Sequence, residues 1–295
     1  MIEPFTVPFM ARALAEMVLL ALICGPVSVF VFARGLSFVA DALTHTVFPG
    51  VVIGFVAGGL EGLFAGALVA GVLTAVVLAV LTRGRRVSDD AATAVVLTAM
   101  FSIGVVLVSR RSSYTADLTS FLFGRLLTVT PRQIAETAVL AVVLVVALLI
   151  GARALVFRSF DPAGAAAAGF RIGWLDLWLN VVVALVVVAA VRAVGTILVV
   201  ALLIVPAAAA RMVTDRLVAM AALGTVLIIG AGYAGLLASW TASLSYGIAL
   251  TSASSVVLLL VAAYLLVIPV RVLRTRRRRG APEPTERNSP HELVG

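Results

Sequence analysis

Residues 37–50 read Ser37-Phe38-Val39-Ala40-Asp41-Ala42-Leu43-Thr44-His45-Thr46-Val47-Phe48-Pro49-Gly50 and place a carboxylate and an imidazole together within otherwise apolar sequence. In an α-helix, Asp41 and His45 would share one face, about 6 Å apart along the axis. With Arg34 at a membrane surface, they would lie about 10 Å and about 16 Å deep, at about 1.5 Å per residue. That depth is near the middle of a hydrocarbon layer about 30 Å thick, where ionisable groups usually mark a polar pathway.

Pro49 follows this pair and changes the helix beside it. Proline has no N–H to donate to the carbonyl of His45, so this oxygen is expected to be free next to the imidazole. A carboxylate, an imidazole and a carbonyl oxygen together suit a borderline divalent cation such as zinc or manganese. The alternative is that His45 is a helix-packing histidine, hydrogen-bonded to a neighbouring backbone group.

The composition indicates a membrane protein. Of the 295 residues, 62% are hydrophobic and only 12% are charged, and the mean hydropathy is +1.18. Soluble domains carry about 25% charged residues, so a soluble globular domain is excluded. Apolar runs of about 20 residues recur along the chain, which predicts an all-α, polytopic helical membrane protein. The one cysteine, Cys24, excludes a disulfide framework within the chain.

The apolar segments predict about nine transmembrane helices. The breaks after Gly58 and around Arg192 are short, so eight helices is the alternative if two neighbours are joined. Residues 1–270 then form one transmembrane domain, and residues 271–295 form a tail that is first Arg-rich and then disordered. The nine expected segments are 10–33, 38–58, 62–82, 91–109, 134–156, 175–191, 194–213, 217–238 and 248–269.

The arginines predict the orientation of these segments. With the N-terminus outside and alternating spans, most arginines fall at the inner ends, in agreement with the positive-inside rule. The C-terminus is then expected to be cytoplasmic. The arginines between Arg271 and Arg279 directly follow a spanning helix. We therefore expect them to meet anionic lipid of the inner leaflet rather than nucleic acid.

Residues 161–169 predict a short cytoplasmic helix between the fifth and sixth spans. Asp161 is expected to cap this helix, Pro162 to occupy its first position, and Gly169 to stop it after about two turns. A helix bounded at both ends suits docking into a groove on a cytoplasmic partner, and a plain connector is the alternative. In the seventh span, Pro206 is expected to act as a hinge, unless it is a tolerated membrane proline.

Two other features bear on function. The stretch from Ser109 to Pro131 is too short and polar to span a membrane, so it is either an interfacial or re-entrant cap at the outer mouth or a plain loop. The sequence contains no Gly-x-Ser-x-Gly, His-Glu-x-x-His or phosphate-binding loop. No catalytic residue is therefore expected, and any ATP-driven work needs a separate subunit.

Three motifs resemble the permease subunit of the zinc/manganese ABC importers, the ABC-3 family. Residues 34–45, Arg-Gly-Leu-Ser-Phe-Val-Ala-Asp-Ala-Leu-Thr-His, are similar to the family's Arg-x-x-Ser-Phe-x-x-Asp-Ala-x-Ser-His. Residues 161–169 are similar to its Asp-Pro-Glu-x-Ala-x-x-x-Gly coupling segment, and residues 194–210 are similar to its third motif. The chain departs from the family at Thr44, which replaces a common Ser, and at Ala163, which removes a Glu from the coupling segment.

This resemblance implies a mechanism and partners. Two permease copies would pair, two cytoplasmic ATPases would dock on their coupling segments, and an extracytoplasmic protein would deliver the metal. Asp41 and His45 would line the translocation path as metal ligands. The residues implied to couple to the ATPase are Asp161, Pro162 and Gly169. No permanently bound cofactor is expected, because the metal is the cargo.

The lead hypothesis is therefore the permease of an ATP-driven importer in a bacterial plasma membrane, carrying zinc, with manganese or ferrous iron as alternative cargo. Pro49 and Pro206 would be its hinge or packing residues. The second hypothesis is a self-contained secondary transporter or channel that uses Asp41 and His45 as a proton-linked cation site. An intramembrane enzyme is a distant third. Residues 161–169 distinguish the first two, since only an ABC importer needs them to contact another protein.

Overall fold

The computed structural model describes residues 3–83, 87–109, 124–247 and 250–279, and every helix named below lies within these ranges. The fold is all-α, as expected, with no β-strand in this described part. Proline stands in the first turn of α1, α3, α5 and α6 as defined here, where its missing N–H costs no helical hydrogen bond. The helices are α1 (Pro8–Ala33), α2 (Ser37–Thr46), α3 (Phe48–Thr82), α4 (Asp89–Ser109), α5 (Pro131–Phe160), α6 (Pro162–Ala167), α7 (Ile172–Val213), α8 (Leu217–Tyr246) and α9 (Ser252–Arg279), with 3-10 helices at Glu3–Thr6 and Leu126–Thr128.

α3 is a helical hairpin rather than one straight helix. Gly58 and Gly59 leave the helical conformation, and Gly59 has a φ of +60°, a region that favours glycine. The two arms run so close together that a Cβ atom on Gly54 would collide with the backbone of Gly62. The short break expected after Gly58 is therefore confirmed, and α2 together with the first arm forms one candidate span.

α7 also turns back on itself, at Gly195, where φ is +78°. Near the start of α7, Asp176 pairs with Arg34, the residue that follows α1. Near its end, Ala210 packs in one cluster with Val29, which lies in the last turns of α1. Both ends of α7 therefore lie at the same end of the bundle, and this 42-residue helix crosses the bundle twice.

Eight segments of the described residues are long and apolar enough to cross a membrane. The difference from the nine expected segments arises at 175–191 and 194–213. These two are joined in α7 because a single residue, Gly195, makes the turn between them. The path of the chain through the bundle still follows the nine expected segments, since α7 contributes two of them.

Ion pairs mark the two ends of the bundle. Each end has one carboxylate held between two arginines, in the clusters Arg34–Asp176–Arg158 and Arg132–Glu136–Arg192. Helix α5 carries Glu136 near its start and Arg158 near its end, so the two clusters lie on opposite sides of the bundle. We call these sides the Asp176 end and the Glu136 end.

The core of the bundle is built around α7 and α1. Between Leu179 and Ala210, buried valine, alanine and leucine side chains occupy nearly the whole circumference of α7. They form one continuous cluster with the buried face of α1, which includes Leu20 and Val27. Large apolar side chains of α4 and α5 remain exposed on the outside of the bundle. Faces of this kind meet lipid or another protein chain.

The last helix is longer than expected. α9 continues to Arg279, beyond the expected end of the ninth span at residue 269, so the Arg-rich part of the tail is helical. The predicted disorder falls on residues 280–295, which lie outside the described residues. The predicted cap or loop between Ser109 and Pro131 is described only from Gly124 onwards, where a 3-10 helix leads into α5.

Candidate functional site

Asp41 and His45 lie one turn apart on α2, as predicted. The Nε2 atom of His45 is 3.9 Å from Oδ1 of Asp41, so the two side chains reach the same space. In the single chain, 43% of the Asp41 side chain and 34% of the His45 side chain remain exposed. A divalent cation at this position would therefore have two protein ligands and several open coordination positions.

The other face of α2 holds the pair in place. Val39, Ala40 and Leu43 are buried in the core of the bundle. Phe101 of α4 meets the imidazole of His45 edge-on, with ring centroids 6.2 Å apart. The backbone of the site is thus fixed by packing, as a precise binding site requires.

Two threonine hydroxyls beside the pair are already hydrogen-bonded. The hydroxyl of Thr44 donates to the carbonyl of Asp41 at 2.7 Å, and that of Thr46 donates to the carbonyl of Leu43 at 3.3 Å. Both threonines are buried. The described residues contain no group of three or more His, Cys, Asp or Glu side chains that could hold a metal ion. One chain therefore offers a two-ligand site.

Pro49 lies at the start of α3. It occupies the second position of this helix, and α2 ends before Val47, so α2 and α3 are separate elements. As expected, proline has no N–H to donate to the carbonyl of His45. This carbonyl faces the N–H of Val47, two positions on. A role of this oxygen as a third ligand beside the imidazole and the carboxylate stays a prediction.

Residues 161–169 fold into the expected short helix, α6. The carboxylate of Asp161 accepts a hydrogen bond from the N–H of Gly164 at 2.7 Å, and Pro162 is the first helical residue. Gly169 ends the helix with a φ of +89°. Most of the segment is exposed. It lies at the Asp176 end and is separate from the Asp41–His45 pair. The predicted residues thus fall into two groups, one on α2 and one around α6.

Pro206 lies inside α7 without breaking it. Within α7 only Gly195 departs from helical dihedral angles, so the chain stays helical through Pro206. The proline ring is buried and lies against Gly224 of α8. Pro206 therefore packs against α8 within a helical stretch, and its role as a hinge stays a prediction. The sharp turn of α7 lies at Gly195.

Two ionisable residues were missed by the sequence interpretation. Asp176 holds Arg34 and Arg158 at the Asp176 end. Glu16 is fully buried in α1 and accepts a hydrogen bond from the hydroxyl of Thr137 at 2.8 Å. Both are carboxylates inside apolar segments, which is the same signal that identified Asp41.

Known proteins match this chain over most of its length. Residues 6–270 match the ABC 3 transport family. The manganese transport system membrane protein MntC of Halalkalibacterium halodurans is 33% identical over 228 residues, which are 77% of this chain and 77% of that protein. The chelated iron transport system membrane protein YfeD of Yersinia pestis is 32% identical over 238 residues, 81% of this chain and 79% of that protein.

A solved structure also resembles this fold. It is described as PsaBC from Streptococcus pneumoniae in complex with Fab. It has a TM-score of 0.79 and 29% sequence identity, and the match covers 94% of this chain and 100% of that chain. The all-α bundle described above is therefore also the fold of a chain in that solved structure.

Proposed function

Because the chain belongs to the ABC 3 transport family, we propose that it is the membrane-spanning permease of an ATP-driven importer that carries manganese. The family and its relatives support a permease of an ABC metal importer. The choice of manganese as the cargo is the proposal. Zinc was the cargo expected from the sequence, and the names of the relatives favour manganese or iron instead. Zinc and ferrous iron are therefore the competing cargoes.

The observation that carries the proposal is the Asp41–His45 pair. A carboxylate and an imidazole in reach of one another, within a membrane-spanning segment, are costly to keep there without a function. Transport requires a site that binds an ion well enough to accept it and weakly enough to release it, and the two ligands of one chain leave coordination positions open.

The chemistry of the ligands fits both manganese and zinc. Carboxylate oxygens and water suit manganese, whereas imidazole and thiolates suit zinc. The one cysteine, Cys24, is buried in α1 and has no place in this pair. Imidazole and carboxylate also bind zinc, so the experiment below compares the two metals directly.

A second copy of the chain would complete the site. Divalent transition metals bind at least four ligands, and the pair supplies two. The pair is partly exposed and lies beside Phe101 of α4, which is 45% exposed. A homodimer that joins these faces would bring a second carboxylate and a second imidazole to the same ion.

The other partners are assigned to the two sides of the membrane. We place the Asp176 end in the cytoplasm, where an ATPase subunit docks on α6 around Asp161, Pro162 and Gly169. The C-terminus then lies on the same side of a bacterial plasma membrane, and the arginines after the permease domain, residues 1–270, meet anionic lipid. A metal-binding protein delivers the ion from outside the cell.

Uptake of radioactive metal into vesicles tests this function. The vesicles contain this chain with its ATPase and its binding protein, and uptake of manganese, zinc and ferrous iron is measured with and without ATP. The variants are Asp41→Ala and His45→Ala. Asp215→Ala is the matched control, because the Asp215 side chain is 90% exposed and pairs with Arg211, four residues before it.

We expect ATP-dependent manganese uptake in the wild type and in the control, and its loss in both site variants. Uptake that persists in Asp41→Ala and His45→Ala would place the path elsewhere. Preferred uptake of zinc would correct the cargo while leaving the transport function intact. Uptake without the ATPase would favour the secondary transporter or channel over an ABC importer.

A further inference from the structure

One carboxylate ties both flanks of α6 to the beginning of α2. Arg158 lies in the last turn of α5, directly before α6, and Asp176 lies in the second turn of α7, directly after it. Arg34 follows the last residue of α1 and precedes α2. Nη2 of Arg34 is 2.6 Å from Oδ1 of Asp176, and Nη2 of Arg158 is 3.1 Å from Oδ2.

The cluster is largely withdrawn from solvent. The exposed fractions are 11% for the Arg34 side chain, 18% for Arg158 and 26% for Asp176. An ion pair with this burial is difficult to break, because separation would leave charges without compensation. The three helix ends should therefore move together when any one of them is displaced.

Asp176 connects the two arginines of this cluster. Nη1 of Arg34 and Nε of Arg158 are buried with no hydrogen-bond partner among the described residues. Asp176 is thus the carboxylate that both arginines share. Without its charge, two guanidinium groups would face each other at the base of α6.

An aromatic contact holds the same base together. The rings of Phe157 and Phe170 flank α6 and meet edge-on, with centroids 6.1 Å apart. Side-chain contacts therefore fix the residues on both sides of the segment 161–169. The chain on the two sides of α6 is thus joined by this ring contact as well as by the Arg158–Asp176 pair.

We propose that Asp176 is a positioning residue that transmits movement of the docked segment 161–169 to the metal pair on α2. The path runs from Arg158 through Asp176 to Arg34, and from there into the first turn of α2, one turn before Asp41. This inference rests on the proposed function, since it assumes that an ATPase displaces α6. It assigns a role to Asp176 that metal binding does not require.

The Glu136 end offers a matched control. Glu136 also lies between two arginines, with 3.1 Å to Nε of Arg132 and 2.7 Å to Nη2 of Arg192. It is a carboxylate of similar exposure, at 32%, but it lies on the opposite side of the bundle from α6. Loss of either carboxylate breaks the same kind of cluster, and only the loss of Asp176 breaks the path to α2.

The experiment measures metal transported per ATP hydrolysed in proteoliposomes that contain the chain, its ATPase and its binding protein. The variants are Asp176→Asn, Asp176→Glu and Glu136→Gln, and manganese binding by each variant is measured separately by equilibrium dialysis. For Asp176→Asn we expect retained ATP hydrolysis and manganese binding, with about tenfold or greater loss of metal per ATP. Asp176→Glu should recover most of the ratio, and Glu136→Gln should keep it.

An unchanged ratio in Asp176→Asn, or an equal loss in Glu136→Gln, would overturn the inference while leaving the permease function in place. Wild-type vesicles without ATP-dependent uptake would overturn both. If Asp176→Asn fails to fold, Arg158→Gln takes its place, because it retains the Arg34–Asp176 pair and cuts the path on the α6 side. A normal ratio in Arg158→Gln would then overturn the inference.

Discussion

Single ionisable residues inside the bundle each have a partner in reach. Glu16 has Thr137, Asp41 has His45, and Asp176 has an arginine on either side. This pattern is expected, because an ionisable group without a partner in a membrane-spanning segment is costly. The pairs differ in exposure: Glu16 is fully buried, the Asp176 side chain is 26% exposed, and those of Asp41 and His45 are 43% and 34% exposed.

Replacement of Thr137 by Val tests the importance of the buried pair. Glu16 would lose the one hydrogen bond to its Oε1 atom, and its Oε2 atom has no partner among the described residues. We expect the free energy of unfolding to fall by about 1–3 kcal/mol, measured in detergent. Thr98→Val is the control, because Thr98 is exposed and its hydroxyl donates to the carbonyl of Ala94 in the same helix. Equal stability of the two variants would contradict this prediction.

Gly169 adopts a conformation that only glycine adopts readily. At a φ of +89°, a side chain such as that of Val would strain the end of α6 by about 1–2 kcal/mol or more. We expect Gly169→Val to abolish ATP-driven uptake and to leave manganese binding at Asp41 and His45 unchanged. Gly230→Ala is the control, because Gly230 lies in α8 with open space around it. Normal uptake by Gly169→Val would argue that α6 is a plain connector.

At the scale of elements, the turn of α7 at Gly195 determines the topology of the rest of the chain. It decides on which side of the membrane each later helix begins and ends. If α7 were straight, Asp215 would lie at the Glu136 end together with Glu61. With the turn, Asp215 lies at the Asp176 end. The positions of these two exposed residues therefore distinguish the two topologies.

Cysteine labelling in intact cells measures this difference. Glu61→Cys and Asp215→Cys introduce thiols at side chains that are 78% and 90% exposed. The native Cys24 is fully buried and should stay unreactive. We expect a membrane-impermeant maleimide to label the variant at residue 61 and to spare the one at residue 215. Labelling of both from outside would contradict the turn at Gly195.

The elements that could be predicted from the sequence are those whose structure is determined by residues close together along the chain. α6 was predicted because Asp161, Pro162 and Gly169 act within one or two turns, and the apolar segments were predicted from their own length. The Arg34–Asp176 pair was not predicted, because its members are 142 positions apart and no local signal links them. The contact between the N–H of Val47 and the carbonyl of His45 was not predicted either, because it depends on the local turn between α2 and α3.

At the scale of the whole molecule, the site is half of a larger one. If two chains share one ion, each chain supplies Asp41 and His45 to the same coordination sphere. We expect one manganese ion per two chains in the purified assembly, measured by equilibrium dialysis against protein concentration. His45→Ala should remove this binding, because it deletes one of the two ligands of each chain. A ratio of one ion per chain would contradict the shared site.

The position of the core helix in the chain has a consequence for biosynthesis. α7 begins at Ile172, so the ribosome completes α1 to α5 before the helix that buries their inner faces exists. The early helices enter the membrane with surfaces such as Leu20 and Val27 still unmatched. Assembly into a bundle must wait for α7, and a chain truncated before it should be inserted but recognised by membrane proteases as an orphan.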